Sequence, residues 1–463
     1  MAELRPLRGI RYTERAGNLA ALVAPPYDVI GQEEYTELRD RSPFNVVRLI
    51  LDGGYSPEAN PPPDWYEEAA RFLTAWQSGG LLATDAEAAF YLYTQTFDSE
   101  GQQRRRKLLL GALRLEPYGS GRIFPHEKTT PGPKAGRLRL MQACRANLSP
   151  ILAFFPDPDG TINRLLDGLP GAEDAACFTD DAGVGHELRR VLAACSQEPL
   201  AQALAPLPFY IADGHHRYET ALAYRDLERA KLPPHPPSPS PRVGRGQGGE
   251  VGELPCDFVL AACMSVADPG LVIRPTHRVV SWDGEPMVED LLKESARWFT
   301  VERWSGKGDR YILGEAPSGP FRQNVPVPFS APSGPLERGV AFVLYGGASA
   351  GYARLELCDE RALDDAPYPR GSPLRRLPAA VFGHVFLGKL LGLLGAKTTY
   401  TPDAALAVRE VGRGAARLAC VLSGVSPAEV MAVVDAGERM PPKSTYFWPK
   451  PMTGMVLRSL ERF

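Results

Sequence analysis

Phe209-Tyr210-Ile211-Ala212-Asp213-Gly214-His215-His216-Arg217-Tyr218-Glu219-Thr220 is the stretch on which the fold turns. Residues 209–212 are apolar and β-prone, Asp213-Gly214 is a turn pair, and residues 215–231 read as a helix. The expectation is a buried strand that ends in a tight turn and feeds straight into that helix. The first turn of such a helix offers unpaired backbone N–H groups at the positive end of the macrodipole, where an anion is held. Gly214 lets a ligand approach the backbone. Arg217 can grip phosphate oxygens with two parallel hydrogen bonds. His215 and His216 add donors, or one of them moves protons. Asp213 either caps the helix or holds Mg2+. The structural alternative is a capped turn with solvated polar residues. Ligand sites favour loops at strand ends, which tips the reading towards a phosphate site.

Upstream, residues 91–97 (YLYTQTF) and 107–116 (KLLLGALRLE) read as the strands of a hairpin, and 149–157 (SPILAFFPD) as a buried strand. Residues 64–77 read as a helix, residues 185–195 as another, and SPFNVVRL at 42–49 as the approach to a strand. Downstream, residues 257–266 read as a strand, 287–299 as an amphipathic helix and 339–358 as a second hairpin. Helices are expected at 379–394 and 427–436, and a closing strand at 453–460. Strands and helices mix without strict alternation, so the fold class is α/β of the mixed α+β kind, in two lobes with mixed sheets.

Between the two patterned regions, residues 231–255 (KLPPHPPSPSPRVGRGQGGEVGELP) hold seven prolines and five glycines. No apolar period survives there, and a flexible insertion is the expectation. The division is therefore 1–230, an N-terminal lobe with the phosphate-binding turn; 231–255, the insertion; and 256–463, a C-terminal α/β lobe.

The chain of 463 residues is 44% apolar and 23% charged, as a globular protein should be, and its length suits two cores. A net charge of −3 gives no global basic field, so no nucleic-acid partner is expected. The opening residues lack the apolar core of a signal peptide, and the apolar run at 381–394 is too short and polar to span a bilayer. Seven dispersed cysteines with no CxxC pair suit reduced thiols. A cytoplasmic protein that engages no membrane is the expectation.

Four further segments carry chemistry. In FPHEKTT (124–130), His126 and Glu127 are candidates for acid–base work or for binding a metal, and Lys134 and Arg137 just beyond can bind anions. A solvated basic loop is the structural alternative. His277 and Arg278 lie in PTHR (275–278), where a polar loop leaving a strand is the simpler reading. PPKSTYFWPK (441–450) imitates a Walker A spacing with Gly437, but Pro442 stands where the second glycine belongs and has no N–H for a phosphate. A P-loop is excluded, while Lys443, Ser444 and Lys450 can still reach an anion across a shared cleft. In APPYDVI (24–30), Tyr27 and Asp28 are available on a stiff extended element.

Taken in order, PPYDVI, SPFNVVRL, FPHEKT, DGHHRYETA, PTHR and PPKSTYFWPK resemble the bacterial and archaeal domain of unknown function 1015 family, from about residue 20 onward. Gly136 stands where an acidic residue is expected before Arg137. No activity is carried over from that family. DGHHR also resembles the phosphate-binding signature of the ParB–sulfiredoxin superfamily, which includes free-serine kinases and CTP-hydrolysing partition proteins. That resemblance implies that Asp213, Gly214, His215 and Arg217 meet nucleotide phosphates. The implied function is a nucleotide-dependent phosphotransferase acting on a small hydroxy metabolite such as free serine, with ATP or ADP and Mg2+. In that scheme His126, Glu127, His215 and His216 are catalytic. Asp213, Gly214, Arg217, Lys134, Arg137, His277, Arg278, Lys443 and Ser444 hold the nucleotide, and Asp213 holds the metal. One alternative is a nucleotide-binding switch without transfer to a small molecule. The other is a metal-dependent hydrolase, for which no HExxH-type spacing exists.

Overall fold

The computed structural model describes residues 3–51, 63–99, 101–119, 121–128, 131–232, 252–304, 339–392 and 396–461. Most of the expected insertion, residues 233–251, lies outside the described residues.

Two sheets organise the molecule. The larger has nine strands. From one edge the order is Ile123–Pro125, Phe209–Asp213, Ile151–Phe155, Phe258–Ser265, Gln102–Arg114, Phe90–Ser99, Gly185–Val191 and Ala172–Thr179, with Leu4–Arg5 also paired to Gln102–Arg114. It is mixed. Phe209–Asp213 runs parallel to Ile123–Pro125 and antiparallel to Ile151–Phe155, which in turn runs parallel to Phe258–Ser265. The second sheet has six antiparallel strands, in the order Phe299–Trp304, Tyr352–Leu357, Ala341–Tyr345, Leu418–Val421, His277–Ser281 and Lys397–Thr401. The mixed α/β class is thus as expected.

Alternation along the strands gives the large sheet two apolar faces. Ile151, Ala153, Phe155, Phe209 and Ile211 face one side and pack with Tyr218 and Ala221 of the helix His215–Ala230. Leu152, Phe154, Tyr210 and Ala212 face the other and pack with Val430, Val433 and Val434 of the helix Pro427–Asp435, and with Phe447 and Met452. A sheet buried on both faces explains why these strands read as continuous apolar runs.

The expected boundary at 255 does not follow the sheets. Phe258–Ser265 is fully buried between two strands of the first region, and the 446–457 segment covers that same sheet. The 256–463 stretch therefore contributes to both layers. Residues 185–195, expected as a helix, form the strand Gly185–Val191, because pairing on both sides with Phe90–Ser99 and Ala172–Thr179 overrides local propensity. The helix comes next, at Ala194–Leu204. Residues 42–49, expected to lead into a strand, run instead into a short buried helical turn, Val47–Ile50. The closing strand at 453–460 shrinks to Arg458–Ser459. The helices expected at 64–77 and 427–436 are present; that at 287–299 shortens to Val288–Ser295, with Phe299 opening a strand; that at 379–394 continues as a π-helix through Phe382–Leu390, with residues 393 and 394 outside the described residues.

Candidate functional site

The strand Phe209–Asp213 is buried along its whole length and delivers Asp213 to the start of the helix His215–Ala230. Gly214 joins them with φ +85°, a left-handed conformation that suits glycine. No side chain caps the helix, so the capping role considered for Asp213 is not the one it takes, and the first-turn N–H groups stay open to a ligand.

Asp213 instead sits between two cations. Arg217 donates to Oδ2 at 2.5 Å and Lys450 donates to Oδ1. Burial opposes the charge on Asp213, but Lys450 and Arg217 outweigh it and hold its carboxyl far below the usual range. Burial likewise opposes the charge on Lys450, and Asp213, with help from Asp28, restores it and pushes its pKa up. Each carboxylate oxygen of Asp213 thus accepts from one cation. Among the described residues no group of three His, Cys, Asp or Glu side chains is placed to hold a metal. Asp213, expected to hold a metal, forms ion pairs with Arg217 and Lys450.

Arg217 also donates to the carbonyl of Pro150, while its Nε is buried without a hydrogen-bond partner. A Cβ on Gly214 would lie 2.9 Å from that Nε, so the glycine is what leaves room for the guanidinium.

Lys450 is aimed from the far side of the site. The cross-strand pair Gln95 and Arg106 binds its backbone: Gln95 Nε2 donates to the carbonyl of Lys450 at 3.1 Å, and Arg106 donates to the carbonyls of Trp448 and Pro449 and to Gln95 Oε1. Arg106 is fully buried and forms no ion pair among the described residues. Burial lowers its pKa to about 10.

His126 and His215 meet edge to face, with ring centroids 4.6 Å apart. The backbone N–H of His126 donates to His215 Nε2 at 3.3 Å. His126 Nδ1 is 2.7 Å from the carbonyl of Ile211, and its Nε2 is 2.8 Å from the Thr445 hydroxyl. Burial pushes both histidines below the usual imidazole range, His215 most strongly. His126, expected to do acid–base work, has both ring nitrogens engaged within the protein. His216, half-buried, is also lowered by burial, and its Nδ1 has no hydrogen-bond partner. Glu127 accepts the Lys443 N–H at 2.9 Å.

The other expected residues divide. Lys134 forms an ion pair with Glu219 on the helix, and its charge, with that of Lys443, acts on His216. Arg137 stacks on the Tyr27 ring, 3.4 Å from the centroid, and donates to the carbonyl of Ile50 at 2.8 Å. Burial lowers the Arg137 pKa, while the nearby charges of Asp28 and Arg217 act on it in opposite directions. These groups lie together around the turn. Ser444 is buried and donates to the Pro441 carbonyl at 2.6 Å, so its hydroxyl braces the loop instead of facing a ligand. His277 is buried in the second sheet and accepts the Leu422 N–H at 3.2 Å. Arg278 donates to the carbonyls of Thr276 and Lys443. The PTHR block thus supports the loop carrying Lys443, and its histidine is occupied within the second sheet.

Sequence reasoning did not place Thr445, Tyr446, Tyr27 or Asp28 in the site. Asp28 is exposed, and its charge reaches Tyr27, Arg137, Tyr446 and Lys450. The signal was present in PPYD and STYFWPK as polar and aromatic residues beside prolines, but nothing local ties them to residue 213.

No helix among the described residues is long and apolar enough to cross a membrane. Among solved structures, the chain is similar to a free serine kinase mutant in complex with ADP, at 13% identity and a TM-score of 0.32, covering 70% of this chain and 83% of that one. It is also similar to SbnI with a C-terminal truncation from Staphylococcus aureus, at 13% identity and a TM-score of 0.33, covering 75% and 86%. A conserved hypothetical protein from Pyrococcus furiosus is similar at 12% identity and a TM-score of 0.30, covering 71% and 90%. No curated protein matches the sequence. The family described as "Protein of unknown function (DUF1015)" matches residues 4–377, beginning ahead of PPYDVI and ending before PPKSTYFWPK. With that match over most of its length, the chain belongs to the DUF1015 family.

Proposed function

We propose that the turn at 213–217 binds the phosphates of a nucleotide, ATP or ADP, and that the protein transfers a phosphoryl group to a small hydroxy compound, with free serine the first candidate. The observation that carries this reading is Arg217 Nε, buried without a partner beside an uncapped helix N-terminus. A buried guanidinium N–H left unbonded costs free energy that an anion at that point recovers. Lys450, Arg137, Lys134 and Lys443 surround the same turn. Phosphoryl transfer depends mainly on positioning and on cations that neutralise developing charge, which is what such a cluster supplies. Glu127 holds the Lys443 N–H with one oxygen and is the base for the attacking hydroxyl. The described side chains do not form a cage for Mg2+; a magnesium ion would arrive with the nucleotide phosphates, as it commonly does.

The test is a thermal-shift and calorimetric screen of ATP and ADP crossed with L-serine and related hydroxy acids. A ligand at 100 times its Kd stabilises by about 2.7 kcal/mol. A nucleotide shift together with a phosphate ester seen by phosphorus NMR supports the kinase. A nucleotide shift with no ester under any acceptor favours a nucleotide-binding switch. No shift with any nucleotide overturns the reading.

A further inference from the structure

Thr445, His126 and Ile211 form a hydrogen-bond chain whose direction is fixed. The carbonyl of Ile211 can only accept, so His126 Nδ1, 2.7 Å away, carries the ring proton. His126 is 1% exposed, and it has no carboxylate within hydrogen-bond distance among the described residues. Burial keeps its ring neutral, so Nε2 is a bare lone pair. The Thr445 hydroxyl at 2.8 Å must then donate to it. That donation uses the one proton Thr445 has. Its oxygen is left with lone pairs alone, on a half-buried side chain between Lys443 and Lys450.

An oxygen that can only accept is a poor neighbour for a phosphate oxygen, which is itself an acceptor. It is a good neighbour for an O–H or N–H. The second ring of the pair reinforces this polarity. His215 Nε2 accepts the His126 backbone N–H, so its proton also lies on the other nitrogen, Nδ1.

Resting on the phosphotransfer reading above, we propose that Thr445 is a specificity-determining residue that receives a hydrogen bond from a donor group of the phosphoryl acceptor other than its reacting hydroxyl, such as an ammonium, with His126 as the positioning residue that fixes its polarity. The nucleotide phosphates are assigned to Arg217 and Lys450. The substrate class is therefore a small molecule with a donor group near its reacting hydroxyl, as a hydroxy amino acid has.

The experiment compares the full-length protein with Thr445→Val and Thr445→Ser. Removing the acceptor while keeping the shape should raise KM for L-serine about tenfold, the effect of one lost substrate hydrogen bond. The Kd for ATP or ADP by calorimetry should change less than twofold, and Thr445→Ser should restore the KM. A purely structural role for Thr445 would move both constants together, and that result overturns the proposal, as would no change in either. Nitrogen-15 NMR of His126 provides an arm independent of turnover. A proton on Nδ1 and none on Nε2 at neutral pH is expected, and a protonated Nε2 overturns the polarity argument. If wild-type protein binds no nucleotide, the phosphotransfer reading falls and the substrate assignment with it. The nitrogen-15 result then still separates a failed lock from a failed function.

Discussion

Lys450 reaches back across 237 positions of sequence to bond the carboxylate of Asp213, on the oxygen that Arg217 leaves free. Both partners are about nine-tenths buried. Breaking a buried pair from one side leaves an uncompensated charge, which costs about 3–5 kcal/mol. Lys450→Met should lose stability on that scale by urea denaturation, and adding Asp213→Asn should recover part of it. If the double variant is no more stable than the single, the two residues are not coupled.

Arg217→Ala should weaken nucleotide binding by about 2–3 kcal/mol, since a charge-assisted contact to phosphate is lost. Arg217→Lys should recover only part, because an ammonium cannot reproduce the planar fork. Titration calorimetry reads both variants, and unchanged affinity in Arg217→Ala would remove the turn from the binding site.

Gly214→Ala places a side chain at φ +85° and sets its Cβ 2.9 Å from Arg217 Nε. Left-handed backbone costs an alanine about 1–2 kcal/mol. Since the guanidinium must also shift, ligand affinity should fall more than stability does. A variant with a lower melting temperature but wild-type nucleotide affinity would show that the close approach serves the fold alone.

His277 should make the protein less stable in mild acid. Burial, assisted by the neighbouring Arg278, lowers its pKa to about 4 from the usual imidazole value near 6.5. Between those values the unfolded chain binds a proton that the folded chain refuses. Stability is therefore full above about pH 6.5 and falls towards pH 4, by up to about 1.4 kcal/mol per pH unit for this group. His126 and His215, also lowered by burial, add to the same slope. His277→Gln should flatten the slope, measured from urea midpoints at several pH values. An unchanged slope would mean that His277 titrates normally in the folded protein.

The strand–turn–helix at 209–230 was legible because each signal was local: an apolar run, an Asp-Gly turn and helix formers in direct succession. His126 and Glu127 were legible as chemistry-bearing types, although neither nitrogen of His126 could be seen in advance to be occupied. What failed was non-local. GHELRRV reads as a helical face until two neighbouring strands pair with it. VVRLI at 46–50 has β-branched residues but is buried as a helical turn, where packing outweighs propensity. Lys450 was noted as a spare cation, yet its aim depends on Gln95 and Arg106 gripping the carbonyls around it, a relation no spacing rule contains. His277 and Arg278 look like anion ligands by type and are tied up in the second sheet and its adjoining loop.

The order of translation acquires a role from the Asp213–Lys450 bond. A ribosome that has just passed residue 230 has joined Asp213 and Arg217 to the chain, but neither Thr445 nor Lys450 has yet been synthesised. The sheet itself lacks Phe258–Ser265 at that moment, so the strand bearing Asp213 has a neighbour with an open edge. Domains usually gain structure from the N-terminal side as they emerge. Here the nascent chain holds Asp213 without Lys450 through the synthesis of more than 200 further residues. The buried Asp213–Lys450 pair can close only once residue 450 has left the ribosome, so it belongs to the last stage of folding.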